Sequence, residues 1–289
     1  MTFSIVAYDP DANAHGVAVA SKFLAVGAFV NFSQGGVGAV ATQALAKIGF
    51  GHQGLALLAQ GRSAQETLEA LLAADPGRED RQVGIVDAQG RSAAHTGARC
   101  FDWAGHRTGE FFTCQGNILA GAQVADAMAD AFVAAKGELA DRLLAALRAG
   151  DEAGGDRRGR QGAGMLITSP NGGFGGDHDR YLDLRVDDDP APVTRLADLV
   201  RMHHLFFGEP KPEDSIAITE SIARELQTMM LQGGYWSAEA TGVWDDASKA
   251  AFWVLVGNEN LEGRWNPEGN TDHIDRVALD YLRSRFGTG

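Results

Sequence analysis

The run TFSIVAY at residues 2–8, answered by GVAVAS at 16–21 across the turn signal DPDANAHG that begins at Asp9, decides the fold. Proline, asparagine and glycine punctuate the chain between two apolar runs, so the pair is predicted to form a β-hairpin. Both runs are apolar on successive residues, the pattern of strands covered on both faces rather than half exposed to water. The sheet they seed is therefore expected to be sandwiched, with Thr2 held rigidly at its edge.

Working outward, residues 36–42 read as a third strand, and helical spacing follows at 51–60 and 64–74. Ser63 and Glu66 have the spacing of a capping box, and Asp75-Pro76-Gly77 stops the second helix. Strands are predicted at 82–87 and 91–96, and another leads into Cys114-Gln115-Gly116-Asn117. Helices at 121–136 and 138–149 come next, then the glycine-rich break 151–162, strands at 163–168 and 181–186, and a helix at 193–206 opened by Pro190-Ala191-Pro192. Two runs of strands separated by helix pairs predict an α+β fold, a four-layer αββα sandwich over residues 1–207. Residues 208–213 form a stiff linker. A small, mainly α-helical domain is expected over 214–289, where Trp236, Trp244 and Trp253 cluster.

Composition removes several function classes. The formal charge is -13 and the basic residues are scattered, so there is no stripe to neutralise phosphates; nucleic acid and anionic membrane are not expected partners. No segment approaches the ~18 apolar residues of a membrane span, and the first residues lack an export signal, so a cytoplasmic location is expected. Cys100 and Cys114 lack ligand spacing and read as packing thiols. His95 and His106 have no partner at metal-ligand spacing, and the Gly172–Asp179 stretch (GGFGGDHD) lacks both the Walker lysine and EF-hand spacing, so it reads as a hairpin loop.

The chemistry starts at Thr2. Trimming of Met1, expected when a small residue follows, would give one residue both a hydroxyl and a free α-amine. That amine has a reference pKa of ~7.7–8.0, so near neutral pH it can take the hydroxyl proton directly or through one water. No metal or organic cofactor is needed, and no GxSxG motif points to a serine triad.

Taken together, TFSIVA, GVAVASKF, GVGAVATQA, RQVGIVD, AAHTG, WAGHRTGE, CQGN and GGDRRGRQ resemble the domain of unknown function 1028 family, over roughly residues 2–206. The resemblance implies the N-terminal-nucleophile (Ntn) hydrolase superfamily, in which a threonine-led strand is followed by a GV-x-VA strand. Lys22 stands where the proteasome-like pattern of that superfamily has an acidic residue.

Other residues are candidates beside Thr2, each with a plainer reading. Lys22 could lower the pKa of a nucleophile or bind a carboxylate, or be a solvated strand end. Thr42 and Gln43 could orient substrate from the same sheet edge or be plain loop polarity. Gly116 and Asn117 suit an oxyanion hole built from an amide and a backbone N–H, or a turn. Asp156, Arg160 and Gln161 could bring an acid or a guanidinium to a substrate carboxylate, or form a solvated loop.

In the C-terminal stretch, LQGGYW, TGVW and KAAFWVLV resemble peptidoglycan-binding modules, although such aromatic anchors mostly encode a small core. Packing or dimerisation is the preferred role, and a homo-oligomer, a dimer, is expected. Two functions are carried forward. One is an N-terminal-threonine amidohydrolase acting on a small-molecule or peptide-like amide; the other is a non-catalytic binder of a small ligand or cell-wall (muropeptide) fragment.

Overall fold

The computed structural model describes residues 2–287, so the expected removal of Met1 lies outside the described residues. They form two compact units that divide between Val200 and Arg201.

In the first unit the expected hairpin is present: β1 (Thr2–Asp9) and β2 (Ala14–Ser21) pair antiparallel from Phe3↔Ala20 to Asp9↔Ala14, and both are buried almost throughout. The chain continues through α1 (Gly27–Val30), β3 (Asn31–Gln34), β4 (Gly38–Ala44), α2 (Gly49–Ala59) and α3 (Ala64–Ala73). Next come β5 (Arg81–Asp87), β6 (Ser92–Thr96), β7 (Gly105–Gly109) and β8 (Phe112–Asn117). Helices α4 (Gln123–Ala134) and α5 (Leu139–Glu152), strands β9 (Gly162–Thr168) and β10 (Arg180–Val186), and the start of helix α6 (Pro192–Phe207), whose last turns belong to the second unit, complete the run. The Ser63–Glu66 capping box forms as the spacing predicts. The loop containing residues 172–179 joins β9 to β10, which pair antiparallel as a hairpin. Short β3 and β7 and the single-turn α1 have no signature in the sequence; β7 (GHRTG) is a polar edge strand.

Six strands make one sheet in the order β10-β9-β2-β1-β8-β7, and four make another in the order β3-β4-β5-β6. Alternation along each strand sorts side chains by face. Phe3, Ile5 and Ala7 of β1 pack with Met128, Phe132, Leu143 and Leu147 of α4 and α5. Val40, Val83 and Ile85 of the smaller sheet pack with Leu58, Leu68 and Leu71 of α2 and α3. The remaining faces meet through Val6, Val17, Val19, Ala39, Ala41 and Val86. Successive apolar residues in β1 and β2 are thus explained: each strand serves two apolar layers.

The second unit is a small α-rich body. It holds α7 (Glu220–Gln232), α8 (Asp246–Asn258), α9 (Arg276–Phe286) and a two-stranded ribbon of β11 (Ser215–Ala217) and β12 (His273–Asp275). Leu226, Met230, Phe252, Leu255, Trp265 and Leu279 form its core. Trp236 and Trp244 pack against that core, and the Trp244 indole donates to the Thr271 carbonyl at 2.8 Å. Buried Gln227 ties the TGVW turn down, donating to the Val243 carbonyl at 2.8 Å and accepting from the Gly242 N–H at 2.8 Å. The aromatic anchors therefore build a core, as their spacing suggests. No helix among the described residues is long and apolar enough to cross a membrane.

Candidate active site

Thr2 opens β1 between β2 and β8, opposite Asn117, and is 6% exposed. Its Oγ1 lies 3.1 Å from Ser21 Oγ, at the end of β2. From the facing sheet, Gln43 Nε2 donates to the Thr2 carbonyl at 3.3 Å. Gln43 also accepts from Ser4 Oγ at 2.7 Å and donates to Gln82 Oε1 at 2.8 Å. Gln82 Oε1 accepts from Asn117 Nδ2 as well, at 2.9 Å, while Gln82 Nε2 donates to the Gly116 carbonyl at 2.7 Å. Gln115 Nε2 closes the group on Ser4 Oγ at 2.6 Å. Asn117, Gln43, Gln82, Gln115 and Ser4 are all buried. In that low-dielectric layer each amide must find partners for its donors and acceptor, and together they fix one another in place around Thr2. Gly84 makes room for this: a Cβ there would sit 2.2 Å from Gln115 Oε1.

A second polar group lies past Ser21. The buried Asp156 carboxylate accepts the Lys22 N–H at 2.7 Å and the Arg158 N–H at 2.9 Å, and pairs with the Arg158 guanidinium at 3.2 Å. Arg160 donates to Asp151 at 2.7 Å, and that carboxylate raises the guanidinium pKa. The Lys22 ammonium is exposed and donates to the Arg160 carbonyl at 3.3 Å. The Gln161 N–H donates to the Ser21 carbonyl at 3.1 Å, and its side chain donates to Asp188 at 3.1 Å. A cavity of about 110 Å³ opens here, lined by Ser21, Asp151, Asp156 and Arg160 with Phe3 and Val193.

The structure thus brings Thr2, Gln43, Gly116 and Asn117 together, and gathers Lys22, Asp156, Arg160 and Gln161 beside Ser21. Thr42 does not join them: one residue before Gln43, it takes the other face of β4 and donates to the Lys47 carbonyl at 3.4 Å. Ser4, Ser21, Gln82 and Gln115 escaped the sequence reading. Their signal is a hydroxyl or amide interrupting an otherwise apolar buried strand, as in FSIVA, RQVGIV and TCQG. Nearby, His106 Nδ1 lies 2.9 Å from Thr96 Oγ1, and burial lowers its pKa. His95 Nε2 lies 3.0 Å from the Arg78 carbonyl oxygen. Cys100 and Cys114 are buried free thiols. Among the described residues no cluster of three or more His, Cys, Asp or Glu side chains is placed to hold a metal ion.

The comparison with curated proteins finds no match. The ancestral β-subunit Anbu from Yersinia bercovieri superposes with a TM-score of only 0.32 at 11% identity, covering 70% of this chain and 96% of that one, a similarity too low to carry an argument. Residues 206–282 match the family described as "Putative peptidoglycan binding domain". The crystal structure of a Silicibacter pomeroyi protein of the DUF1028 family superposes with a TM-score of 0.65 at 32% identity, covering 72% of this chain and 88% of that one. Residues 2–196, the stretch that carries Thr2, both sheets and the amide cluster, match the model of that same "Family of unknown function (DUF1028)", and the chain belongs to it.

Proposed function

We propose that the first unit is a four-layer αββα Ntn-hydrolase sandwich and that Thr2 is the nucleophile of an amidohydrolase. One observation carries the reading: Thr2 starts a buried central strand, with its Oγ1 3.1 Å from Ser21 Oγ and its carbonyl held by Gln43. A side chain so fixed loses little freedom on reaching attack geometry. With Met1 removed, the α-amine takes the Thr2 hydroxyl proton as Oγ1 attacks the amide carbonyl carbon. Ser21 orients the hydroxyl. Asn117 Nδ2 keeps one hydrogen on Gln82 and has a second for the developing oxyanion. The tetrahedral adduct collapses, the C–N bond breaks and the leaving nitrogen takes a proton from the ammonium. Water then cleaves the threonyl ester, releasing the carboxylic acid and restoring Thr2.

The test joins intact mass with kinetics. Protein whose mass lacks Met1 is expected to hydrolyse small amides, Thr2→Ser to retain part of the turnover, and Thr2→Val to lose at least about 100-fold. Equal turnover by Thr2→Val overturns the reading.

A second reading, a binding protein on the same scaffold, is favoured by the amides themselves, because Gln43, Gln82, Gln115 and Asn117 all bond to one another or to the backbone. Stabilisation by muropeptides in a thermal-shift titration, with no turnover of any amide, would select it.

A further inference from the structure

The strand ends that meet at Thr2 send out three loops; two carry exposed apolar side chains, and the third is bonded to a neighbouring loop that does. β2 ends at Ser21, in contact with Thr2, and two and three residues on are Phe23 and Leu24, 51% and 57% exposed. β4 carries Gln43, which holds the Thr2 carbonyl, and is followed by Leu45 and Ile48, both exposed. β8 ends at Asn117, opposite Thr2; the next residue, Ile118, bonds through its N–H to the carbonyl of Phe101 at 2.9 Å, and Phe101 is 65% exposed. At the other end of the sheets the turns read PDAN, GGV, AQGR and SPNGGFGGDHD, with Phe174 as the one exposed large apolar residue among them. Apolar exposure in the loops is concentrated at the end that holds the candidate nucleophile, and contiguous exposed apolar surface marks a place where something binds.

Charge at this end narrows the ligand. Asp151 is paired with Arg160 and Asp156 with Arg158, so those four charges cancel. Two cations there form no ion pair among the described residues: Arg157, whose N–H donates to the Ile118 carbonyl, and Lys22, whose ammonium donates to the carbonyl of Arg160, a residue that lines the small cavity. In a chain of net charge -13, an uncommitted cation beside the site favours a small anion locally against the field of the whole molecule.

We propose that the Thr2 end takes N-acyl amino acids, with an apolar acyl chain on the Phe23, Leu45 and Phe101 rim and the free carboxylate on Lys22. The substrate class rests on Thr2 being the nucleophile. The amide C–N bond breaks as the acyl carbon bonds to Thr2 Oγ1, the amino acid leaves with a proton on its nitrogen, and water releases the fatty acid. One water is consumed per fatty acid and amino acid formed.

The experiment measures binding and turnover separately, on the full chain. Isothermal titration of Thr2→Val and of wild type uses N-acetylglycine, N-octanoylglycine and N-octanoylglycinamide. Octanoylglycine is expected to bind roughly 100-fold more tightly than acetylglycine, because six more methylenes are partly removed from water on an open rim. Octanoylglycinamide, lacking the carboxylate, is expected to bind about tenfold more weakly than the acid, and Lys22→Gln to abolish that difference while keeping the chain-length dependence. Phe101→Ser is expected to weaken octanoylglycine alone. Equal affinity for acetyl and octanoyl ligands, or for acid and amide, overturns the proposal. Turnover of short amides with no chain-length dependence would leave Thr2 as nucleophile and sink the substrate class. Chain-dependent binding without turnover would sink Thr2 as nucleophile and the substrate class with it, leaving only a binding surface for acylated amino acids. Sedimentation covers the other occupant: a dimer that Phe101→Ser dissociates, with no octanoylglycine binding, means the rim meets a second copy and also overturns the proposal.

Discussion

The layer between the two sheets of the first unit is filled in two different ways along the same strands. Near Thr2 it contains Ser4, Gln43, Gln82, Gln115 and Asn117, joined by hydrogen bonds of 2.6–2.9 Å. A few residues along, the same faces of β1, β2, β4 and β5 contribute Val6, Val17, Val19, Ala39 and Val86. Apolar filling is cheap and tolerant, because dispersion and the hydrophobic effect do not demand particular directions. Polar filling is costly and exacting, since every buried amide needs its partners, and its return is a unique arrangement of the groups around it. The exacting half surrounds Thr2, and the tolerant half does ordinary core packing.

That contrast can be broken by mutation. Gln82→Leu strands the Gly116 and Gly105 carbonyls, Asn117 and Gln43 at once, and should cost about 4 kcal/mol in urea unfolding, as several buried groups lose partners together. Turnover or ligand binding at Thr2 should fall with it. Gly84→Ala drives a methyl into Gln115 Oε1 and should cost roughly 2–3 kcal/mol, the usual range for overpacking. In the apolar half, Val86→Ala should cost about 2 kcal/mol through the cavity it leaves, with kcat and KM unchanged. A Val86→Ala loss exceeding that of Gln82→Leu would show that the polar half is no more demanding than the apolar one.

The smallest expected effect is a pH dependence at the far end of the sheets. His15 is fully buried, stacks on Tyr8 with ring centroids 4.4 Å apart, and has Nε2 3.1 Å from the Asp87 carbonyl oxygen. Burial lowers its pKa below the usual 6.5, with the Asp87 carbonyl and carboxylate opposing the shift weakly. Above that value the imidazole is neutral in both states and its stability contribution is intact. As the pH falls below it, the unfolded chain takes the proton first and stability declines. Urea unfolding at pH 7.5 and 5.5 should show a drop in wild type that is smaller in His15→Gln. An identical drop in both would assign the pH dependence to other groups.

Much of the scaffold was legible because it is local. The β1–β2 hairpin follows from two apolar runs around Asp9–Ala14, the α3 start from Ser63 and Glu66, and the β9–β10 hairpin from its glycine-rich loop. Elements with weak local signals were not legible. Among them are α1 (GAFV), β3 (NFSQ), β7 (GHRTG), the β11–β12 ribbon and α9, which runs from Arg276 with four charged residues in RVALDYLRSRF. In the site, Thr2, Gln43 and Asn117 stood out as polar residues at strand ends. Gln115 and Ser4 did not, although they touch across 111 positions, because nothing in either segment names its partner.

The sequence by itself determined the longer strands and helices of the first unit, that β1 and β2 are covered on both faces, and that a threonine begins the opening strand. Those are matters of turn chemistry and the spacing of apolar residues, readable over a handful of positions. Only the tertiary structure decided which buried amides meet, that Thr42 turns away while Gln43 reaches Thr2, and that Lys22 faces the Arg160 carbonyl. It alone gathered Phe23, Leu45 and Phe101 at one end of the sheets. Such encounters depend on strand order and register across distant parts of the chain, and local spacing carries no record of them.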